Sequence, residues 1–146
     1  MIGKFLSFTA VLVAATVFSA SAASQVARIP KTGCPNAAYP TPAGSPGLGK
    51  GFGVTAGPCR TRGAARFIVI GTAGLNVALP VPLACGRACI LGCRPIIVLY
   101  ATSLRVLIPR DRSLVGQKVC IQTGCIENAS PKCIYLHGAL SVTITP

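Results

Sequence analysis

Eight cysteines, at positions 34, 59, 85, 89, 93, 120, 125 and 133, constrain this chain more than any other feature. They follow a leader pattern. Met1 to Lys4 is a short basic stretch, Phe5 to Phe18 is apolar, and Ala20-Ser21-Ala22 has the small-x-small form of a cleavage site. That is the layout of a secretory signal, which predicts a mature chain starting near Ala23. The apolar run is short of the roughly 20 residues that a membrane helix needs. In an exported chain, cysteines read as a disulfide framework. Parity narrows the pairing. Cys85, Cys89 and Cys93 form one triplet, and Cys120, Cys125 and Cys133 another, so each must send at least one bond outside itself. If Cys34 pairs with Cys59, an odd number of bridges joins the triplets. Either way the C-terminal hairpin is tied to earlier chain.

Between the cysteines the pattern is that of strands. "ARFIVIG" reads as one strand and "LNVALPV" as another, stopped by Pro80 and Pro82. "PIIVLYATSLRVLI" reads as a strand pair or one bent strand. In "LVGQKVCIQ", Val119 and Ile121 share one face, with Lys118, Cys120 and Gln122 on the other. In "ALSVTIT", Leu140, Val142 and Ile144 alternate with Ser141, Thr143 and Thr145, a half-buried strand with a polar outer face. The stretch from Ile29 to Gly57 is rich in Pro and Gly, which predicts irregular or edge chain. "LACGRACILGC" spaces Cys85, Cys89 and Cys93 by four, as on a helix face. Gly86, Gly92 and the flanking prolines favour a cross-linked loop with at most one helical turn. Short strands, frequent turn signals and no long helical period predict an all-β protein: a small, disulfide-stabilised antiparallel β-sandwich. The expected organisation is a signal peptide over 1–22, a Pro/Gly-rich segment over 23–57 packing on the domain, and a sandwich core over 58–146. No second apolar run reads as a membrane helix, because Arg105 and the prolines at 95 and 109 break the longest one.

The formal charge is +12, or +11 once Lys4 leaves with the signal. Thirteen cations then face two carboxylates, Asp111 and Glu127. Such a surface attracts polyanions or anionic cell-surface material, and equally serves to keep an apolar exported protein in solution. Nine of the fourteen Lys and Arg are Arg, which favours bidentate contact with phosphate or sulfate. The candidate anion-binding residues are Arg60, Arg62 and Arg66, and Arg110 and Arg112. They would form one cationic rim if both groups fall at the same end of the sandwich.

Catalytic patterns fare worse. A C-x3-C-x3-C triplet lacks the C-x2-C elements of thiolate metal sites, so no metal or cofactor is expected. His137 is the lone histidine, and fully bridged cysteines leave it no thiol to activate. Asp111 and Glu127 could form a glycosidase pair, but no Trp supplies a sugar platform. Ser113 and Ser141 lack a nucleophile elbow. "GLGKGFG" is neither preceded by a strand nor followed by a helix, as a phosphate loop requires. Asn128-Ala129-Ser130 fits a glycosylation sequon, with Pro131 placed to hinder its use. Asp111 reads as a turn residue: Pro109 fixes one corner, the carboxylate caps the turn, and Leu114 opens the next strand. Flanking Arg110 and Arg112 should lower its pKa.

"IPRDRSLVGQKVCIQ" followed by "GALSVTITP" resembles the C-terminal phrase of a large group of secreted bacterial modules numerous in Planctomycetes. "TGCPNA", "SPGLGKGFGV", "FIVIG", "ALPVPL" and "ACIL" resemble their earlier phrases, in order, so that the resemblance covers most of Thr32 to Pro146. This chain is more basic than those modules and richer in cysteine. The resemblance implies a small extracellular β-sandwich and brings no catalytic residues with it. The expected role is a secreted, non-enzymatic module of the cell envelope or extracellular matrix, structural, adhesive or recognising. A cationic effector that binds anionic polysaccharide, nucleic acid or lipid is the alternative. Its expected location is extracellular or periplasmic.

Overall fold

The computed structural model describes residues 25–146; the leader and its cleavage site lie outside them. Eight strands form two antiparallel sheets. β1 is Val26–Ile29, β2 Thr41–Gly44, β3 Gly51–Thr55, β4 Ala65–Ala78, β5 Ile90–Leu99, β6 Ser103–Leu107, β7 Lys118–Glu127 and β8 Cys133–Thr143. One short 3-10 turn, η1, spans Arg112–Leu114. The larger sheet runs β1-β8-β7-β4-β5 and the smaller β2-β3-β6. Among the described residues, no helix is long and apolar enough to cross a membrane.

The sandwich core follows from strand alternation. Ile68 of β4, Ile121 of β7, and Leu140 and Val142 of β8 point to one face, and Phe52 and Val54 of β3 meet them from the smaller sheet. The Pro/Gly-rich stretch therefore does more than expected: β3 is the central strand of its sheet, paired with β2 on one side and β6 on the other. Its glycines do not prevent this, because Phe52 and Val54 alternate between them and carry the burial. β1 also pairs with β8 over its whole length.

The other face of the large sheet is covered as well. Phe67 and Val69 of β4, Cys120 and Cys125 of β7, and Leu136 and Ala139 of β8 pack there with Cys34, Ala84, Cys89 and Cys93. The cover is an arm made from the β4–β5 hairpin. The sequence suggests two strands around Gly71, and the structure has one 14-residue strand, bent where its register with β5 slips between Ile70 and Gly71. A Cβ on Gly71 would lie 1.8 Å from the Arg94 carbonyl oxygen, so only glycine allows the crossing. Asn76 takes φ 47° in the second irregular stretch. Beyond the bend, the hairpin folds over the sheet. Ile90 bridges to Gly33, and Gly92 hydrogen-bonds the Gln122 side chain. Cys93 lies in β5 rather than in the expected loop. This cover explains why β8 is buried on both faces from Tyr135 to Leu140 rather than polar on one side.

Four disulfides pin the arm and the hairpin: Cys34–Cys89, Cys59–Cys125, Cys85–Cys133 and Cys93–Cys120. Cys34 does not pair with Cys59, and two bridges join the triplets. All three cysteines of the β7–β8 hairpin reach earlier chain, as parity requires of at least one.

Candidate functional site

The end of the sheet where β7 stops carries a cluster of buried polar side chains. Glu127, the last residue of β7, is 2% exposed. One of its oxygens accepts from the Arg60 N–H at 2.9 Å, and the other from the Thr61 N–H at 2.7 Å and from the Thr61 hydroxyl. Burial raises its pKa. The Thr61 hydroxyl, the two backbone N–H groups and the Arg60 charge outweigh this and hold it below the ordinary value of 4.5. Glu127 is therefore ionised and acts as the clamp that folds residues 60–61 onto the sheet. The Thr61 hydroxyl also accepts from the Asn128 N–H, which extends the clamp into the next loop.

His137 lies deeper. The Pro58 carbonyl, 3.1 Å from Nε2, can only accept, so Nε2 carries the proton. Nδ1 then accepts from the Thr123 hydroxyl at 2.8 Å. Burial lowers its pKa first, and the nearby Arg66 charge lowers it further, against the raising effects of the Pro58 carbonyl and Glu127. The ring is neutral and fully bonded. Gly57 packs against it so closely that a Cβ would lie 3.0 Å from the imidazole.

Gln122 completes the buried set. The β7–β8 register slips between Gln122 and Gly124, next to the His137 carbonyl, and β5 crosses above that point. The Gln122 side chain ties the two layers together: Nε2 donates to the carbonyls of His137 in β8 and Ile90 in β5, and Oε1 accepts from the Gly92 N–H. Sequence alternation assigns Gln122 to the same face as Lys118 and misses this role. The signal lies in the adjacent polar pair Gln122-Thr123 within an apolar strand, which marks a bulge.

An open hollow of about 580 Å³ lies beside Glu127, lined by Arg60, Thr61, Pro82, Gly86, Pro131 and the Cys85–Cys133 bridge. The Cys59 and Cys125 sulfurs and a Glu127 oxygen lie within 4.8 Å of one another, but those sulfurs are bonded to each other and offer no thiolate to a metal.

The structure separates the five candidate arginines. Arg60, Arg62 and Arg66 lie at the Glu127 end, where Ala65 pairs with Ile126. There the Arg60 guanidinium sits 5.7 Å from the Tyr135 ring centre. Arg66 is half-buried, its Nε enclosed without a hydrogen-bond partner. Arg110 and Arg112 lie before Lys118, at the opposite end of β7. Ten residues of strand put about 30 Å between the groups, several screening lengths in physiological salt. The single rim therefore does not form. Exposed Lys50 and Lys118 instead join Arg110 and Arg112 at the η1 end. Lys50 is brought there by the bond from the Ile108 N–H to its carbonyl, and Arg110 lies over Gly49.

Asp111 caps η1, accepting from the Ser113 N–H at 2.9 Å. Its pKa is lowered by that bond and by the Ser113 hydroxyl, and not by its arginine neighbours. No family model matches the chain, and neither does any curated protein or solved structure.

Proposed function

We propose that this chain is an exported module of the cell envelope or extracellular matrix that acts by binding or by its own solidity, not by catalysis. One observation carries the reading. The groups most suited to acid–base or nucleophilic work hold the frame together. Glu127 clamps the backbone of Arg60 and Thr61, Asp111 caps η1, His137 is neutral between Thr123 and Pro58, and the eight cysteines are bridged. Four disulfides around so small a domain suit an oxidising compartment. The test is to incubate purified protein with isolated envelope and matrix material and measure co-sedimentation, beside ester, glycan and peptide hydrolysis. Retention without turnover is expected. Turnover that tracks the protein through purification would overturn the reading.

A second reading has its own observation: the η1 end gathers Lys50, Arg110, Arg112 and Lys118, all exposed, around a carboxylate already engaged by its own turn. That surface suits an anionic polymer. The Glu127 end suits one less, because Arg66 is half-buried there and Arg60 lies over Tyr135. Retention on a sulfated-polysaccharide column should fall with salt, since its free energy comes from displaced counterions. Replacing Arg110 and Arg112 by Gln should shift elution to lower salt more than replacing Arg60 and Arg62. Equal shifts would reduce the effect to net charge.

A further inference from the structure

The two sheets have four edges, and three are defended in ways that stop a strand from pairing with another chain. β1 is four residues long and carries Arg28; β2 is four residues with Pro42 inside it; β6 is five residues with exposed Arg105 at its centre. β5, the other edge of the large sheet, is ten residues long; Arg94, Pro95 and a register slip guard its middle, but beyond Pro95 no proline or charge follows before the strand ends. Its outer half is apolar and open to solvent: Ile96 is 71% exposed, Ile97 49%, Val98 49%, and Tyr100 just beyond it 76%. No charge lies between Arg94 and Arg105.

From this we infer that β5 is the interface of a two-fold dimer, in which it pairs antiparallel with β5 of a second copy and joins two five-stranded sheets into one. The edge is complementary to itself. With the axis at Ile97, Ile97 faces Ile97 of the second copy and Ile96 faces Val98. Arg94 then faces Tyr100, twice over by symmetry. An arginine across from an exposed tyrosine is a favourable cation–π pair. Aliphatic residues directly opposite each other are the pairs that stabilise a sheet. Charge does not forbid the pairing. The two copies of Arg94 lie six residues apart along the ladder, about 20 Å, beyond the screening length in physiological salt. By symmetry Pro95, with no N–H to donate, lies opposite Leu99 at both ends and closes the new ladder, so that Arg94 and Tyr100 meet just beyond it. The residual repulsion between two basic copies makes a signature: the dimer tightens as salt rises, opposite in sign to polyanion binding.

Sedimentation equilibrium on the protein with its disulfides intact, across a concentration series at low and high salt, tests this. The expected result is a mass that saturates at twice the monomer and a dissociation constant that falls with added salt. Ile97→Lys places two ammonium groups face to face, and should raise that constant by about tenfold or more while leaving the circular dichroism spectrum unchanged. If that variant fails to fold, Ile96→Lys, at the more exposed position, replaces it. A monomer at every attainable concentration overturns the proposal, as does a folded lysine variant that still dimerises. Growth beyond the dimer overturns the two-fold arrangement and would instead join β5 to the β1 edge.

Discussion

Glu127 shows how one carboxylate in a basic chain becomes structural. It is buried, ionised and satisfied by three donors from residues 60 and 61. Glu127→Gln would turn an amide N–H toward donors that need an acceptor, and should cost about 2–3 kcal/mol in a denaturant titration. The same bonds set a pH dependence. A carboxyl held below its unfolded value of about 4.5 contributes fully above that value, and the contribution fades as pH falls through the lower folded value. His137 acts in the same direction from a higher start. Its folded pKa lies below 6.5, so the unfolded state takes up the proton first as the solution is acidified. The melting temperature should therefore decline in two stages on acidification, and Glu127→Gln should shrink the lower one, to which exposed Asp111 adds little. Asp111 is a contrasting case. Asn caps a turn as well as Asp does, so Asp111→Asn should leave the melting temperature unchanged by scanning calorimetry. Its turn role is legible in the sequence because proline and aspartate are local signals, whereas Leu114, expected to open the next strand, ends η1, and β7 starts only at Lys118. The Glu127 clamp is not, because its partners lie 66 and 67 residues away.

At the scale of elements, β7 and the end of β8 can be placed from alternation alone, and the faces of Val119, Ile121, Leu140 and Val142 are as expected. Of the two readings of "PIIVLYATSLRVLI", a strand pair or one bent strand, the structure has two strands, β5 and β6, but they do not pair: Tyr100–Thr102 carries the chain from one sheet to the other. The bend in β4 is not legible. Gly71 looks like a strand terminator, and only the approach of the Arg94 carbonyl shows that it is a crossing point. Any side chain there must push the two strands of the arm apart. Gly71→Val should destabilise by about 3 kcal/mol, at the high end for a single substitution. Hydrogen exchange should show the loss of protection concentrated in residues 71–94, the arm itself. Loss spread evenly over both sheets would mean that the arm is not a separate unit.

For the whole molecule, charge and apolar edge are set apart: seven cations lie at the two ends of β7, and the stretch of β5 beyond Arg94 carries no charge. Net charge and the β class are sums over residues, so they are legible in the amino-acid order alone. Which arginines share an end depends on topology, and that is why the sequence leads to one rim where two separate groups exist. The disulfides carry a consequence for biosynthesis in the exported setting proposed for this chain. As the chain emerges from an export channel, Cys34 and Cys59 reach the oxidising side before any native partner of either. Only Cys93–Cys120 joins cysteines that follow one another in sequence. An oxidase that bonds thiols in order of appearance would therefore make wrong bridges first, and thiolate exchange must correct them. Production in an exporting host without a disulfide isomerase should give mostly mispaired protein, visible as Cys34–Cys59 peptides on mass mapping, and supplying the isomerase should restore the native set. This protein's abundance is then governed by its host's capacity for shuffling bonds, a dependence set by where eight sulfurs fall along the chain.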